Sequence, residues 1–489
     1  METGAPMHDL LVRGGTVVTA ETSERLDVVA DGETIAGIGP PGSFGPTAKR
    51  VVDADGCLVV PGGVDPHVHY GLTFGPVTSE SQEWSAAAAL GGTTTVIDFA
   101  LQEAPATLHQ AIAAKRAEAD GAIAVDYGLH AIVAGPDIAF EVIDELGDVV
   151  RDGVPTIKTF MTYGWMVDDG ARFGIMSAVA EHGGMSVVHA EDDALAAFLA
   201  KKYLREGKTH GAHIAETRGP LVEEAAVRRA MLLAERSGSA LYVLHMAAGS
   251  AVAALAEGRE RALPFYGETL LLYLSFTADA LWDDDRRGLL WNNYPPIKEK
   301  EDQDALWAAL ADDRLQAVGT DHFAVTSEER FELMGTTVDQ LQAGIASVEL
   351  RVPVLFHLGV HEGRLSVNRF VEVSATNPAK LMGLYPRKGT IAIGSDADLA
   401  VIDPARTWTV RAGDLYTRAD YSCWDGWEVH GKVTATVLRG AVVAEDGAFV
   451  GRRDGGRFLP RCLPREILAG AADLSATNVA PALVVEPVR

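Results

Sequence analysis

The sequence predicts an α/β protein: a (β/α)8 barrel of the TIM type carrying a β-sandwich built from both chain termini. Three observations predict it. Short apolar runs broken by Gly and Asp-Gly turns open the chain (LLVRGGTVVTA, RLDVVADGETIAGIG, VVDADGCLVV) and return after residue 385 (GTIAIGSDADLAVIDP, WTVRAG, GKVTATVLRGAVVAEDGAFV), which is the texture of small antiparallel strands. Between them, strand-like apolar runs alternate with Ala-rich amphipathic stretches, as parallel strands joined by crossover helices require. The alternation supplies eight candidate strands, at 62–69, 93–99, 125–133, 156–161, 185–189, 240–245, 265–269 and 315–320, and eight close such a barrel.

In chain order, residues 1–60 form the N-terminal part of the sandwich and residues 61–385 the barrel, with helices read from SQEWSAAAALG, ATLHQAIAAKRAEA and PLVEEAAVRRAMLLAERSG. Residues 386–451 complete the sandwich. The last segment, 452–489, mixes Arg and Pro and then turns Ala-rich and polar without core periodicity. It is expected to be an arm, either disordered or packed on a neighbouring subunit.

The 489 residues allow such a barrel with an accessory module, and 47% apolar with 22% charged residues describe a folded enzyme-sized chain, neither fibre nor disordered. Forty-two Lys and Arg stand against 68 Asp and Glu, a formal charge of −26 that repels phosphate backbones and anionic head groups. Nucleic acid and membrane partners are therefore not expected. Cys57, Cys423 and Cys462 are odd in number and widely spaced, which suits a reducing cytoplasm better than a disulfide framework. The start METGAPMHDLL carries acids where a signal peptide carries positive charge, and no apolar run reaches the roughly 18 residues of a membrane span.

The sharpest local feature is GVDPHVHYG, which places His67 and His69 at the end of the first predicted barrel strand. Residues i and i+2 of a strand share a face, so both imidazoles can meet one cation, or simply alternate toward core or solvent. Lys158 in VPTIKTFMTYG, His189 in MSVVHAED, His245 in LYVLHMAAG and Asp321 in LQAVGTDHFAV fall at or near the C-terminal ends of four further strands. Those ends form one rim in a barrel, the rim that carries active sites. A lysine ammonium repels a dication and pairs ordinarily with a carboxylate. Its carbamate, formed with carbon dioxide, is instead an anionic two-oxygen ligand able to bridge two metals.

These strings, together with VTSE, GGTTTVIDF, ETRGPLVEEA, YGETLLLYL, PPIKEKEDQDALW and GSDADLAVID, resemble the cyclic amidohydrolases, in particular the dihydropyrimidinase and hydantoinase branch, over about residues 11–450. The resemblance implies two divalent cations per chain, zinc favoured, with His67 and His69 on the more buried one and His189 and His245 on the other. It implies a carboxylated Lys158 bridging them, Asp321 as ligand and proton-transfer base, and Tyr163 as hydrogen-bond donor to the oxygen that becomes negative. Cations about 3.5–4 Å apart acidify a water and polarise the attacked carbonyl. The implied function is opening of the cyclic amide bond of a hydantoin, dihydropyrimidine or related cyclic ureide, by a homotetramer.

Two positions depart from that branch. NNYPPIK stands where CSPPLR is common, placing Tyr294 where a serine backbone meets the substrate's amide edge, and LMGTTVDQLQAGIASVE places Ala343 where an Asn usually bonds the ring. Leu72, Phe74, Tyr163 and Trp165 follow the His69 and Lys158 strands, so aromatic and aliphatic loops are expected to overhang the metals and favour an apolar ring substituent. Dihydroorotase is disfavoured because HVHYG lacks the arginine that follows His-x-His there. An allantoinase, or a hydrolase of an unusual cyclic amide in specialised metabolism, is the alternative activity. A non-catalytic structural protein, as in the collapsin response mediator proteins, is the alternative class. His322 is placed next to the site, and His182, His210 and His213 on surface helices or loops; no dinucleotide or phosphate loop is present.

Overall fold

Strands of three to five residues at one chain end cannot bury both faces of a sheet, and here they pair with strands from the other end. In the computed structural model, which describes residues 7–136, 138–282, 284–333, 335, 337–470 and 474, Leu58–Pro61 lies between Thr16–Val18 and Leu399–Thr409 in a seven-stranded sheet. Leu399 faces Pro61 and Ile402 faces Leu58, antiparallel. A four-stranded sheet runs Thr34–Gly39, Asp27–Asp31, Leu10–Arg13, Arg50–Asp53. Leu10, Val12, Val59, Val401 and Val437 fill the core between the two. The β-sandwich is thus made from both termini.

The barrel strands are β1 (Gly63–Asp65), β2 (Thr93–Gln102), β3 (Asp126–Val133), β4 (Thr156–Phe160), β5 (Met185–His189), β6 (Ala240–Val243), β7 (Phe265–Leu270) and β8 (Ala317–Gly319), parallel neighbours in sequence order. A bridge between Val68 and His322, with the His69 N–H donating to the His322 carbonyl at 2.8 Å, draws the two edges together beyond the strand ends. All eight residues of β3 are buried, as strands covered on both faces require. Ile97 and Phe99 pack inward with Val64, Ile132 and Tyr242. Val96 packs outward against Ala87 and Leu108.

Helix ends follow their sequence signals. Leu108–Ala119 begins with a reciprocal capping box between Thr107 and Gln110. Pro220–Ser237 has Pro in its first turn and ends at Gly238 with φ 75°, a conformation that favours glycine. Among the described residues no helix is long and apolar enough to cross a membrane.

Three expectations differ from the structure. The first barrel strand ends at Asp65, because Pro66 offers no N–H to the ladder. His67 and His69 therefore lie beyond it. Strands β6 and β8 likewise stop two residues short of His245 and Asp321. The third difference concerns the arm, whose described part packs on the chain's own barrel floor. The Tyr127 N–H donates to the Arg457 carbonyl (2.9 Å) and the Leu459 N–H to the Tyr127 carbonyl (2.7 Å), extending the foot of β3. Arg461 is buried there and donates to Thr156 Oγ1 at 2.7 Å. Residues 471–473 and 475–489 of the arm lie outside the described residues.

Candidate active site

The turn after β1 is built on a buried carboxylate. Asp65 accepts from the His67 N–H (3.2 Å) and from Thr320 Oγ1 (2.7 Å), and the Arg351 guanidinium lies 3.6 Å away. These bonds tie the His67–His69 loop to the end of β8, where Asp321 follows Thr320. Asp321, His245 and Tyr163 all have positive φ (50°, 38° and 66°), a conformation costing a non-glycine residue roughly 1 kcal/mol or more. The local strain aims three side chains into one space.

His67 Nε2 and His69 Nε2 are 3.2 Å apart, and Asp321 Oδ1 lies 3.0 Å from each. All three residues are buried. Two imidazole nitrogens and one carboxylate oxygen directed at a common point form a donor set suited to a divalent cation. Behind them, Glu268 Oε1 accepts from His67 Nδ1 at 2.5 Å, and the carboxylate also accepts from Tyr242 Oη (2.9 Å) and the His245 N–H (3.3 Å). Burial opposes charge on His67, yet Asp321 and Glu268 raise it to about 9. Burial drives His69 down to about 3.

Lys158 lies within β4, not at its end, and is buried. Its Nζ sits over the rings of Phe99 (4.2 Å) and Phe160 (4.6 Å) and makes no hydrogen bond or ion pair among the described residues. Burial lowers its amine to about 8, so the uncharged form is within reach at neutral pH.

A second group stands beside the first. The His189 and His245 rings are 4.5 Å apart. His189 Nε2 is 2.8 Å from Glu191 Oε2, and Tyr163 Oη donates to the same oxygen at 3.0 Å. Arg218 pairs with Glu191 at 3.1 Å, and its guanidinium carbon lies 5.1 Å from the Tyr163 ring and 4.9 Å from the Tyr294 ring. Burial works against charge on Glu191, but Arg218 and His189 hold it at about 2.

His67, His69 and Asp321 thus converge, whereas Lys158, His189 and His245 border the same cavity without joining that cluster. The cavity, about 70 Å³, is also bordered by Tyr163, Tyr294, Leu72 and Trp165. The buried Nδ1 atoms of His69 and His245 have no hydrogen-bond partner among the described residues. The converging Nε2 atoms of His67 and His69 and Oδ1 of Asp321, with Lys158, His189 and His245 beside them, fit a cation-holding site.

Sequence reasoning missed three side chains that hold this arrangement. Glu268 is an acid on the fully buried strand FYGETL, which was the available signal, whereas Glu191 follows the end of β5 in the acidic run AEDD, where nothing local sets it apart from Asp192 and Asp193. Asn293, whose Nδ2 donates to Asp321 Oδ2 at 2.9 Å, gave no signal beyond the unusual NNYPPIK. Tyr294 Oη donates to the Leu341 carbonyl (2.9 Å) and pins the loop that carries Ala343. His322 accepts the Ser347 N–H at Nδ1 and lies 2.8 Å from Glu80 at Nε2, beside the site. His182 and His210 are exposed, and His210 and His213 pack on Trp282.

Comparison with known proteins adds to the geometry. Residues 58–443 match the model of the amidohydrolase family. The chain is 37% identical to a D-hydantoinase of Streptomyces coelicolor, over 92% of this chain and 97% of that protein. It is 36% identical to a D-hydantoinase of Geobacillus stearothermophilus, over 92% and 96%. The crystal structure of a dihydropyrimidinase from Brevibacillus agri superposes with a TM-score of 0.89 at 38% identity, covering 92% of this chain and 98% of that one.

Proposed function

Because the chain belongs to the amidohydrolase family, we propose that it is a metal-dependent cyclic amidohydrolase opening the ring of a hydantoin, a dihydropyrimidine or a related cyclic ureide. The observation that carries this reading is the convergence of His67, His69 and Asp321 within 3.2 Å at the mouth of a barrel whose full-length relatives are hydantoinases.

His67 and His69 would hold one cation with Asp321, His189 and His245 a second, and Lys158, carboxylated by carbon dioxide, would join them. Zinc suits this imidazole and carboxylate set best. The cations supply Lewis acidity toward the amide carbonyl and a more acidic water. What the protein contributes is positioning and proton transfer. Asp321 takes the proton of the attacking water and delivers it to the departing nitrogen, its second oxygen steadied by Asn293. Tyr163, already placed 3.2 Å from His189 Nε2, directs its hydroxyl at the oxygen that gains charge. Leu72, Phe74 and Trp165 exclude water from the ring, and the backbone at Tyr294 meets its amide edge.

Three free cysteines agree with a reducing cytoplasm. Phe198, Leu221 and Leu232, each more than half exposed, lie on helices that ring the barrel and support assembly into a homotetramer. Metal analysis with rates on phenylhydantoin, dihydrouracil, dihydroorotate and allantoin tests the reading. About two metals per chain and opening of one of the first two rings are expected. Activity on dihydroorotate alone, or a metal-free chain without zinc affinity, would overturn it.

A further inference from the structure

Outside the metal pocket lies a second, larger cavity of about 780 Å³, and the two share Leu72, Phe74, Tyr163 and Trp165 as a common wall. Its inner end is Phe99, whose ring packs 4.5 Å from that of His69 and beneath Lys158 Nζ. A substituent passing between these shared side chains from a ring held at the cations would enter the larger space. That space begins apolar, past Phe99, Leu101 and Trp165. It then turns polar against Leu108–Ala119, where Lys115, Glu118 and Glu103 border the space.

Charges at this outer end do not cancel. The Lys115 ammonium is taken by Asp98 (3.1 Å) and the Tyr70 carbonyl, with Glu118 at 3.6 Å. Glu103 has no cationic partner among the described residues. Its Oε1 accepts only from the neutral Trp165 Nε1, at 3.2 Å, so the carboxylate, exposed to solvent at the rim of the cavity, is held beside the aromatic wall with no protein cation on it. A neutral ligand leaves that charge as it is. A cation at the end of an apolar stem would meet it.

We propose that this cavity is a substituent subsite selective for cyclic amides bearing an apolar stem that ends in an ammonium or guanidinium, with Glu103 as its specificity-determining residue. The proposal rests on the ring-opening reading of the metal pocket and narrows it. The aromatic wall takes the stem and Glu103 takes the head. A carboxylate-bearing substituent is repelled by the same group.

The test compares 5-(4-aminobutyl)hydantoin with 5-pentylhydantoin, which replaces the ammonium by a methyl at nearly constant shape. Wild-type enzyme should favour the amine by roughly fivefold in kcat/KM, the size of a partly exposed ion pair, and the preference should shrink in 0.5 M salt. Glu103→Gln keeps an acceptor for Trp165 and should bring the ratio to about one, while Glu103→Lys should reverse it. A wild-type ratio at or below one, or one that Glu103→Gln leaves unchanged, overturns the subsite. If neither ring is opened, calorimetric binding of the two compounds to metal-loaded protein still decides it: tighter binding of the amine supports the subsite and equal affinities overturn it. The absence of ring opening counts against hydrolysis alone.

Discussion

Glu268 Oε1 stands 2.5 Å from His67 Nδ1, with both side chains sealed from solvent. The contact keeps a proton on Nδ1, so that a cation displacing the other proton would meet the lone pair of Nε2, the atom facing His69 and Asp321. Glu268→Gln should therefore weaken metal binding by roughly 10–100-fold while the fold persists, since the amide oxygen still accepts. Chelator competition measures it. Unchanged affinity would make Glu268 a structural acid only.

Lys158→Ala should lose metal and activity together, because Lys158 reaches the cavity from the middle of β4 and the group that would join the cations goes with its amine. Added metal with a short carboxylic acid should restore part of the activity. Full turnover by the untreated variant would remove the carbamate from the mechanism.

Asp321→Asn should fold and keep part of its metal through the histidines, but lose several orders of magnitude in kcat, since an amide accepts no proton at neutral pH. Turnover within tenfold of wild type would assign proton transfer elsewhere.

Tyr163→Phe should lower kcat by roughly 10²–10³, as loss of an oxyanion donor does. The hydroxyl also bonds Glu191, so thermal stability should be measured alongside. A change confined to KM would mark Tyr163 as a binding residue.

Much of this site was legible because barrel chemistry sits at strand ends, and strand ends can be read from apolar runs. His67, His69, His189, His245 and Asp321 all terminate or follow such runs; four of them border one cavity, and His67 lies behind it against His69 and Asp321. The boundaries were less legible: Pro66 cuts β1 short, and the positive φ of His245 and Asp321 arises from how adjacent strands close, which no local pattern encodes. Glu268 and Glu191 were hidden by the opposite effect. An acid in a buried strand, as Glu268 is, or in an acidic run, as Glu191 is, stays ambiguous until the partner that neutralises it, His67 or Arg218, is seen to arrive from a distant strand or loop. The arm misled for a different reason: Leu459, Leu463 and Ile467, four residues apart, join the barrel core, but Pro460, Pro464 and the buried Arg461 interrupt the apolar pattern.

The last prediction concerns Glu349, remote from the donor set. Its carboxyl is half-buried, and the loss of water there pushes it up to about 7, with the Tyr416 N–H opposing the shift and Glu80 adding to it. In the unfolded chain the same group titrates near 4.3, about the ordinary value. Between those values the folded state keeps a proton that the unfolded state has released, so stability falls as pH rises through the interval and levels off above about 7. The loss is at most roughly 3 kcal/mol, and solvent reaching the half-buried carboxyl reduces it. Glu349→Gln retains an acceptor for Tyr416 but cannot ionise, so it should match wild type in Tm near pH 5 and exceed it by a few °C at pH 8. Calorimetric scans at matched rate measure the difference; an offset equal at both pH values would show that Glu349 is not the group that titrates.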